Sequence, residues 1–289
     1  VAQIKPYLQL TRPANLVTAV ADILAGMAIA QFTFSSFNPV FLVLSTLGLY
    51  GGGVVMNDVF DARLDAVERP ERPIPSGKVP LPAATMLGMT LLFGGVLAAA
   101  LFSFQSGMIA VVIAALTVLY NRFAKHHVFF GPLTMGMCRG GNLLLGMSVL
   151  PESFRQWSFV VLLPIAYIAA ITLISQDEVH GGKRRTLYIA VFLYLVVLLT
   201  QLYIAHTKGN ILFALPFVLL HAWLIGRPLY NAIQNPVGPL IGKAVKAGVL
   251  SLIVMNASWC MAFGLWPVAL AVLALLPLSI LLARVFAVT

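Results

Sequence analysis

Charge is what this chain has least of. Only 9% of its 289 residues are Asp, Glu, Lys or Arg, and just nine are acids. A water-soluble domain carries about 25% charged residues, so that class is excluded. Cysteine is almost absent as well: Cys138 and Cys260 sit in apolar runs without metal-ligand spacing, and neither a disulfide nor a redox role follows. No polar segment between the apolar runs is large enough to fold alone, so residues 1–289 read as a single membrane domain. The first apolar run is too long, and lacks the small-residue cleavage pattern, to be a removable signal peptide. Gly51-Gly52-Gly53 is no phosphate loop; close helix approach or a kink explains it better.

What fills the chain is hydrocarbon. Sixty per cent of the residues are hydrophobic, and runs of the roughly 17–25 residues needed to span a bilayer recur throughout. They fall near 14–34, 39–57, 83–104, 106–121, 129–150, 157–175, 187–206, 210–226, 244–264 and 266–287. The expected fold is all-α: a polytopic transmembrane helical bundle of nine to ten spans. With ten spans, fifteen of the eighteen bases lie on one side, only Arg155 and Lys208 lie opposite, and Arg139 lies inside a span. The positive-inside rule then puts both termini and the basic loops in the cytoplasm. The basic pI is thus a topology signal, and no nucleic-acid partner is expected.

The acids are just as uneven. Five of nine, Asp58, Asp61, Asp65, Glu68 and Glu71, follow the second span, and Asp177 and Glu178 follow the sixth. Asn57, Asp61 and Asp65 stand at i, i+4 and i+8, one face of a helix that continues past the bilayer. Like charges so spaced cost an exposed helix about 0.2–0.5 kcal/mol, so structure alone does not recommend them. A hard divalent ion such as Mg²⁺ converts that repulsion into ligation and shares its sphere with phosphates. Pro70, Pro73 and Pro75 then end regular helix and hold Arg72 and Lys78 in a stiff loop. Asp22, mid-span, costs at least about 2.5–3.5 kcal/mol on insertion scales, so it faces either the site wall or an internal hydrogen-bonding partner. Arg139 meets the same constraint. Lys125 lies in a turn among Arg122, His126 and His127, where bases are expected anyway. Asn142 and Met137 fit a tunnel lining or ordinary helix packing. Lys183, Arg184 and Arg185 fit phosphate neutralisation or simple topology.

Asn57-Asp58-x-x-Asp61-x-x-x-Asp65, with Arg69-Pro-x-Arg72-Pro-Ile-Pro-Ser-Gly behind it, resembles the first aspartate motif of the UbiA superfamily of intramembrane aromatic prenyltransferases. Arg12-Pro13-x-Asn15 and Tyr120-x-x-x-x-Lys125, followed by a Gly-rich span with Arg139, are similar too. The stretch from Cys138 to Ser148 and the C-terminal run look like the EboC-type subgroup. The second motif departs from the family pattern: its positions are Ser175, Glu178 and Gly182, so one carboxylate is kept.

The resemblance implies an Mg²⁺-dependent transfer from a prenyl diphosphate to an aromatic or cyclic acceptor. Asp61 and Asp65 would be the metal ligands, with Asn57 assisting and Glu178 as remnant second-site ligand. Asn15, Arg72, Lys125 and Lys183 would bind substrate, and Arg139 the diphosphate. With one motif weakened, a single well-formed Mg²⁺ site at Asp61 and Asp65 is expected. The polar cavity should open to the cytoplasm between spans 2 and 6, capped by residues 66–80 and 176–186. The second reading is a non-catalytic isoprenoid or lipid-phosphate carrier in membrane export.

Overall fold

A computed structural model describes residues 4–32, 38–176 and 184–286. Among them every regular element is a helix. In chain order these are α1 (Ile4–Thr11), α2 (Pro13–Ile29), α3 (Val40–Phe60), α4 (Ala62–Glu68), α5 (Leu81–Phe102) and α6 (Phe104–Leu119). There follow α7 (Phe130–Met147), α8 (Glu152–Trp157), α9 (Leu162–Ser175), α10 (Arg184–Thr207), α11 (Ile211–Gln234), α12 (Gly238–Ala262) and α13 (Trp266–Val285). A π turn, Tyr120–Ala124, extends α6, and a 3₁₀ turn, Ser158–Val161, joins α8 to α9.

Eight of these segments are long and apolar enough to cross a membrane, and α1 with α2 forms a ninth, bent by 44°. The bend has a cause in sequence: Pro13 cannot continue a helix from α1, and Arg12 takes up the turn at φ 46°. The tenth bundle helix, α7, has 18 residues and turns Arg139 and Asn142 inward. Lipid-facing positions are large and apolar, such as Phe93, Phe192 and Phe213, as a hydrocarbon solvent allows. Two helices outrun their hydropathy signal. The apolar run at 210–226 belongs to a helix that ends at Gln234, and the run at 244–264 to one that starts at Gly238.

Packing is set by small residues, because lipid supplies no hydrophobic force between helices. A Cβ at Gly26 of α2 would fall on the Leu143 carbonyl of α7, and one at Gly146 would fall on the Ile23 carbonyl. On the other side, Gly48 and Gly52 of α3 meet Gly95 and Gly88 of α5 in the same way. Together with α12, the most enclosed of the long spans, α2 and α7 form the centre of the bundle. One apolar core joins α2 and α7 to α9–α13, and a second joins α2 to α3, α5, α6 and α7. A third and smaller one, Leu10, Val55, Ile74, Val79 and Ala84, lies at the end of the bundle that carries the acids.

The glycine clasp between α2 and α7 gives the first prediction. Gly146→Val should cost about 1–3 kcal/mol, the range for overpacking a close-packed contact. Gly94→Ala, with no atom within 4 Å of its would-be Cβ, should leave stability unchanged or slightly raised. Thermal unfolding of both variants in detergent checks this.

Candidate active site

The helix bearing the acids is interrupted where the first metal ligand was expected. α3 ends at Phe60, Asp61 sits at φ −87°, ψ −1°, and α4 resumes at Ala62. The backbone register survives the break, since Asp61 N donates to Asn57 O at 3.0 Å and Asp65 N to Asp61 O at 2.8 Å. Asn57, Asp61 and Asp65 therefore keep their helical spacing, but each side chain has its own partner.

Those partners come from three separate parts of the chain. Arg12 donates to Asp58 at 2.9 Å, and Arg72 donates through Nη1 to Asp65 at 2.8 Å and Asp58 at 3.4 Å. Lys125 pairs with Asp61. Asn57 donates to Asn121 at 2.8 Å, and Asn121 donates to Gly53 O at 3.2 Å. The prolines fold the 69–80 segment into successive turns: Ser76 N bonds Arg72 O, and Val79 N bonds Pro73 O, both at 3.0 Å. Ile74 and Val79 are driven into the small core against Leu10 and Val55, which fixes Arg72 between its two acids. Lys78 stays exposed.

Lys125 reaches Asp61 through the π turn. Its N–H donates to Tyr120 O at 3.0 Å, an i→i+5 bond that accommodates one residue more than an α turn. Single π turns of this kind are frequent at functional sites. Here the turn holds Tyr120 and Asn121 against the cavity while Lys125 meets the acid.

Behind this rim lies a cavity of about 250 Å³. Arg12, Asn15, Asn57, Tyr120 and Asn121 line its mouth, and Met135, Ile168, Ile171, Val249 and Leu252 form an apolar wall. Tyr50 and Arg139 line it further down. Tyr50 precedes Asn57 by seven residues, about 10 Å along α3 at 1.5 Å per residue, and its ring centre lies 5.3 Å from the Arg139 guanidinium carbon. Arg139 forms an ion pair with Asp22 and donates to Thr18 Oγ1 at 2.7 Å. Asp22 also accepts from Asn142 at 3.1 Å and Asn256 at 2.6 Å.

Of the residues singled out from sequence, Asn15, Asn57 and Arg139 line the cavity, while Asp61, Asp65, Arg72 and Lys125 form ion pairs that follow its lining residues Asn57, Tyr120 and Asn121 in the chain and are not themselves among that lining. α3 and α9, the second and sixth spans, both contribute to its walls. Glu178 and Lys183 lie outside the described residues, as does most of the 176–186 cap. Asp22 takes the internal role of the two open to it. Arg139, expected on the diphosphate, has its guanidinium engaged by Asp22 and Thr18, about two turns below Asn57.

Sequence reasoning missed Asp58, Asn121 and Tyr50. Asp58 is out of phase with the 57/61/65 spacing, and the spacing was the signal being followed. Its adjacency to Asn57 was the available clue. Arg12 entered only through resemblance; the base before Pro13, at a helix break, was its physical signal.

The rim supplies carboxylate oxygens, the donor type Mg²⁺ takes. Asp58 and Asp65 already converge on one Arg72 amino group. Among the described residues, no three of His, Cys, Asp and Glu come together as a metal cage. Two carboxylates completed by phosphate oxygens therefore fit this rim, whereas a cage made by the described residues alone does not.

Comparison with known proteins gives a consistent result. The family model described as the UbiA prenyltransferase family matches residues 19–236. A digeranylgeranylglyceryl phosphate synthase of Methanothrix thermoacetophila is 30% identical over 206 residues, 66% of this chain and 77% of the relative. That of Methanococcoides burtonii is 35% identical over 154 residues, 50% of this chain and 55% of the relative. Among solved structures, the apo UbiA homolog of Aeropyrum pernix K1 superposes with a TM-score of 0.70 at 16% identity, covering 84% of this chain and 96% of that one. A UbiA homolog of Archaeoglobus fulgidus bound to GPP and Mg²⁺ gives 0.64 at 14% identity, over 86% and 99%.

The ion pairs of the rim generate the second prediction. Asp58→Ala leaves Arg12 and Arg72 without their shared acid, and the 4–12 and 66–80 segments should loosen together. Amide exchange should rise at least about tenfold in both, equal to roughly 1.4 kcal/mol of local stability. Exchange measured by mass spectrometry, with the α10–α11 hairpin as internal reference, checks it.

Proposed function

This chain belongs to the UbiA prenyltransferase family, and we propose that, as an intramembrane prenyltransferase, it moves a prenyl group from a prenyl diphosphate to an aromatic or cyclic acceptor at this rim. The observation carrying that reading is the pairing of three acids with three bases, one of which, Arg12, lines a cavity that also has an apolar wall. A diphosphate needs the bases, its metal needs the acids, and an isoprenoid tail needs the wall.

Asp61 and Asp65 hold Mg²⁺ in this reading, with Asn57 assisting and Glu178 joining from the second motif. Bound there, Mg²⁺ neutralises diphosphate charge and makes it a better leaving group. Arg12, Arg72 and Lys125 pass from the carboxylates to phosphate oxygens, where charge grows as the bond to carbon breaks. Asn15 and Lys183 complete the substrate contacts. The C1–O bond breaks with its electron pair on diphosphate, an electron-rich carbon of the acceptor bonds to C1, and that carbon's proton passes to the released diphosphate. Tyr50 and Tyr120 line the cavity in which the allylic cation would form, and the wall of Ile168, Ile171, Val249 and Leu252 keeps water from it.

We place the rim in the cytoplasm from the distribution of lysine and arginine. The EboC-like assignment stays part of this proposal, resting on the Cys138–Ser148 stretch. The carrier reading draws no specific support from the geometry, and the first-motif acids Asp61 and Asp65 with the bases Lys125 and Arg72 favour transfer.

Two predictions test the reaction. Purified protein with labelled geranyl diphosphate and a phenolic acceptor should release diphosphate only with Mg²⁺ present. Asp61→Asn or Asp65→Asn should cut that release at least about 100-fold, as losing a preorganised charge-stabilising group does. A carrier would keep binding and show no release in the unaltered protein. Lys125→Gln, by removing the competitor for Asp61, should tighten Mg²⁺ binding several-fold without diphosphate and weaken diphosphate binding. Titration calorimetry with Mg²⁺ alone and with pyrophosphate alone separates the two effects, and weaker Mg²⁺ binding would refute the exchange of partners.

A further inference from the structure

The deep end of the cavity is built differently from its mouth. At the mouth, three acids are shared among three bases from separate segments, with Asp58 and Asp65 side chains 8% and 6% exposed and Asp61 17%. At the floor, Asp22 and Arg139 have side chains 1% and 5% exposed. Both Asp22 oxygens are used: Oδ1 takes the Asn256 amide at 2.6 Å, Oδ2 takes the Asn142 amide at 3.1 Å and faces Arg139 Nε at 2.5 Å. Asn142 is filled as well, donating also to Ala19 O at 2.9 Å and accepting from Thr46 at 2.6 Å. Arg139 Nη2 is spent on Thr18 Oγ1. What remains is Arg139 Nη1, without a hydrogen-bond partner among the described residues, on a side chain that lines the cavity.

This floor therefore offers one donor and no net charge. An unpaired guanidinium buried among apolar residues would draw in a carboxylate, because the attraction offsets the loss of hydration. Here Asp22 already balances the guanidinium. A second anion would lose its water, find no uncompensated charge, and feel Asp22 across the same group. An uncharged oxygen loses far less on entering and still accepts the hydrogen bond. The floor also stands about 10 Å below Asn57 by the rise of α3. A single ring spans about half of that depth by ordinary bond lengths, so an acceptor whose far substituent meets Arg139 has its nucleophilic carbon about midway between floor and rim.

Resting on the prenyl-transfer reading above, we propose that Asp22 and Arg139 form a charge-balanced floor that selects acceptors whose deep end bears an uncharged oxygen and rejects those bearing a carboxylate there. Asp22 is then a specificity-determining residue that acts through Arg139.

The experiment uses the full chain in detergent and two probes of one shape, 4-hydroxybenzamide and 4-hydroxybenzoate, titrated by calorimetry with Mg²⁺ and pyrophosphate present. The unaltered protein should bind the amide at least about tenfold more tightly. Asp22→Asn keeps the shape, leaves Arg139 uncompensated, and should shift the ratio toward the carboxylate by at least about tenfold. An unchanged ratio in Asp22→Asn would mean that Asp22 only ties helices together, and it overturns the proposal. Should that variant fail to fold, the unaltered protein decides: a carboxylate bound as tightly as the amide overturns it. Geranyl diphosphate binding with Mg²⁺ is measured on the same samples. Diphosphate bound with neither phenol bound defeats the floor and leaves the transfer reading standing. No diphosphate bound defeats the transfer reading, and this inference with it.

Discussion

Each carboxylate at the cavity mouth is held by a base that arrives from elsewhere in the chain, and the shape of that mouth depends on those pairs. Arg12 comes from the break between α1 and α2, Arg72 from the Pro-rich turns, and Lys125 from the π turn after α6. Beneath them, the local core is small, built on Leu10, Val55, Ile74, Val79 and Ala84. Pairs this shielded roughly balance desolvation against attraction, so they fix orientation more than they add stability. Orientation is what an enzyme handling diphosphate needs from them, because bases already aimed at the acids are already aimed at anything that bridges those acids.

The floor answers a different constraint. Inside hydrocarbon, a charge without a partner is costly, and Asp22 and Arg139 meet that cost with each other and with amides from α7 and α12. Thr46 brings α3 into the same group through Asn142. Four helices, α2, α3, α7 and α12, are thereby fixed in register at one depth. The glycine contacts between α2 and α7 make this possible, since side chains as short as Asp and Asn bridge only helices that lie close together.

Whereas α2 and α7 carry Asp22 and Arg139 inside their apolar runs, eight spans were legible because each shows lipid a long apolar run. Their ends were less so: α11 and α12 continue as regular helix into polar sequence, and hydropathy reports contact with lipid, while a helix is kept by its backbone hydrogen bonds. At the site, the period of Asn57, Asp61 and Asp65 was legible from spacing. The partners were not, because Lys125 lies 64 positions from Asp61 and Asn256 lies 234 from Asp22, and no local pattern encodes such pairings. Arg139 shows the limit most clearly. Its presence inside a span marked it as functional, but only the folded arrangement shows that Asp22 neutralises it.

The π turn at Tyr120–Ala124 has a consequence for how the chain tolerates change in length. One added residue in a straight helix rotates everything beyond it by about 100°, which in a membrane exchanges lipid-facing and protein-facing surfaces. A widened turn absorbs that surplus locally, so α6 keeps its apolar face toward lipid while the segment after it is re-aimed at the acids. The bulge lets two incompatible periodicities share one helix.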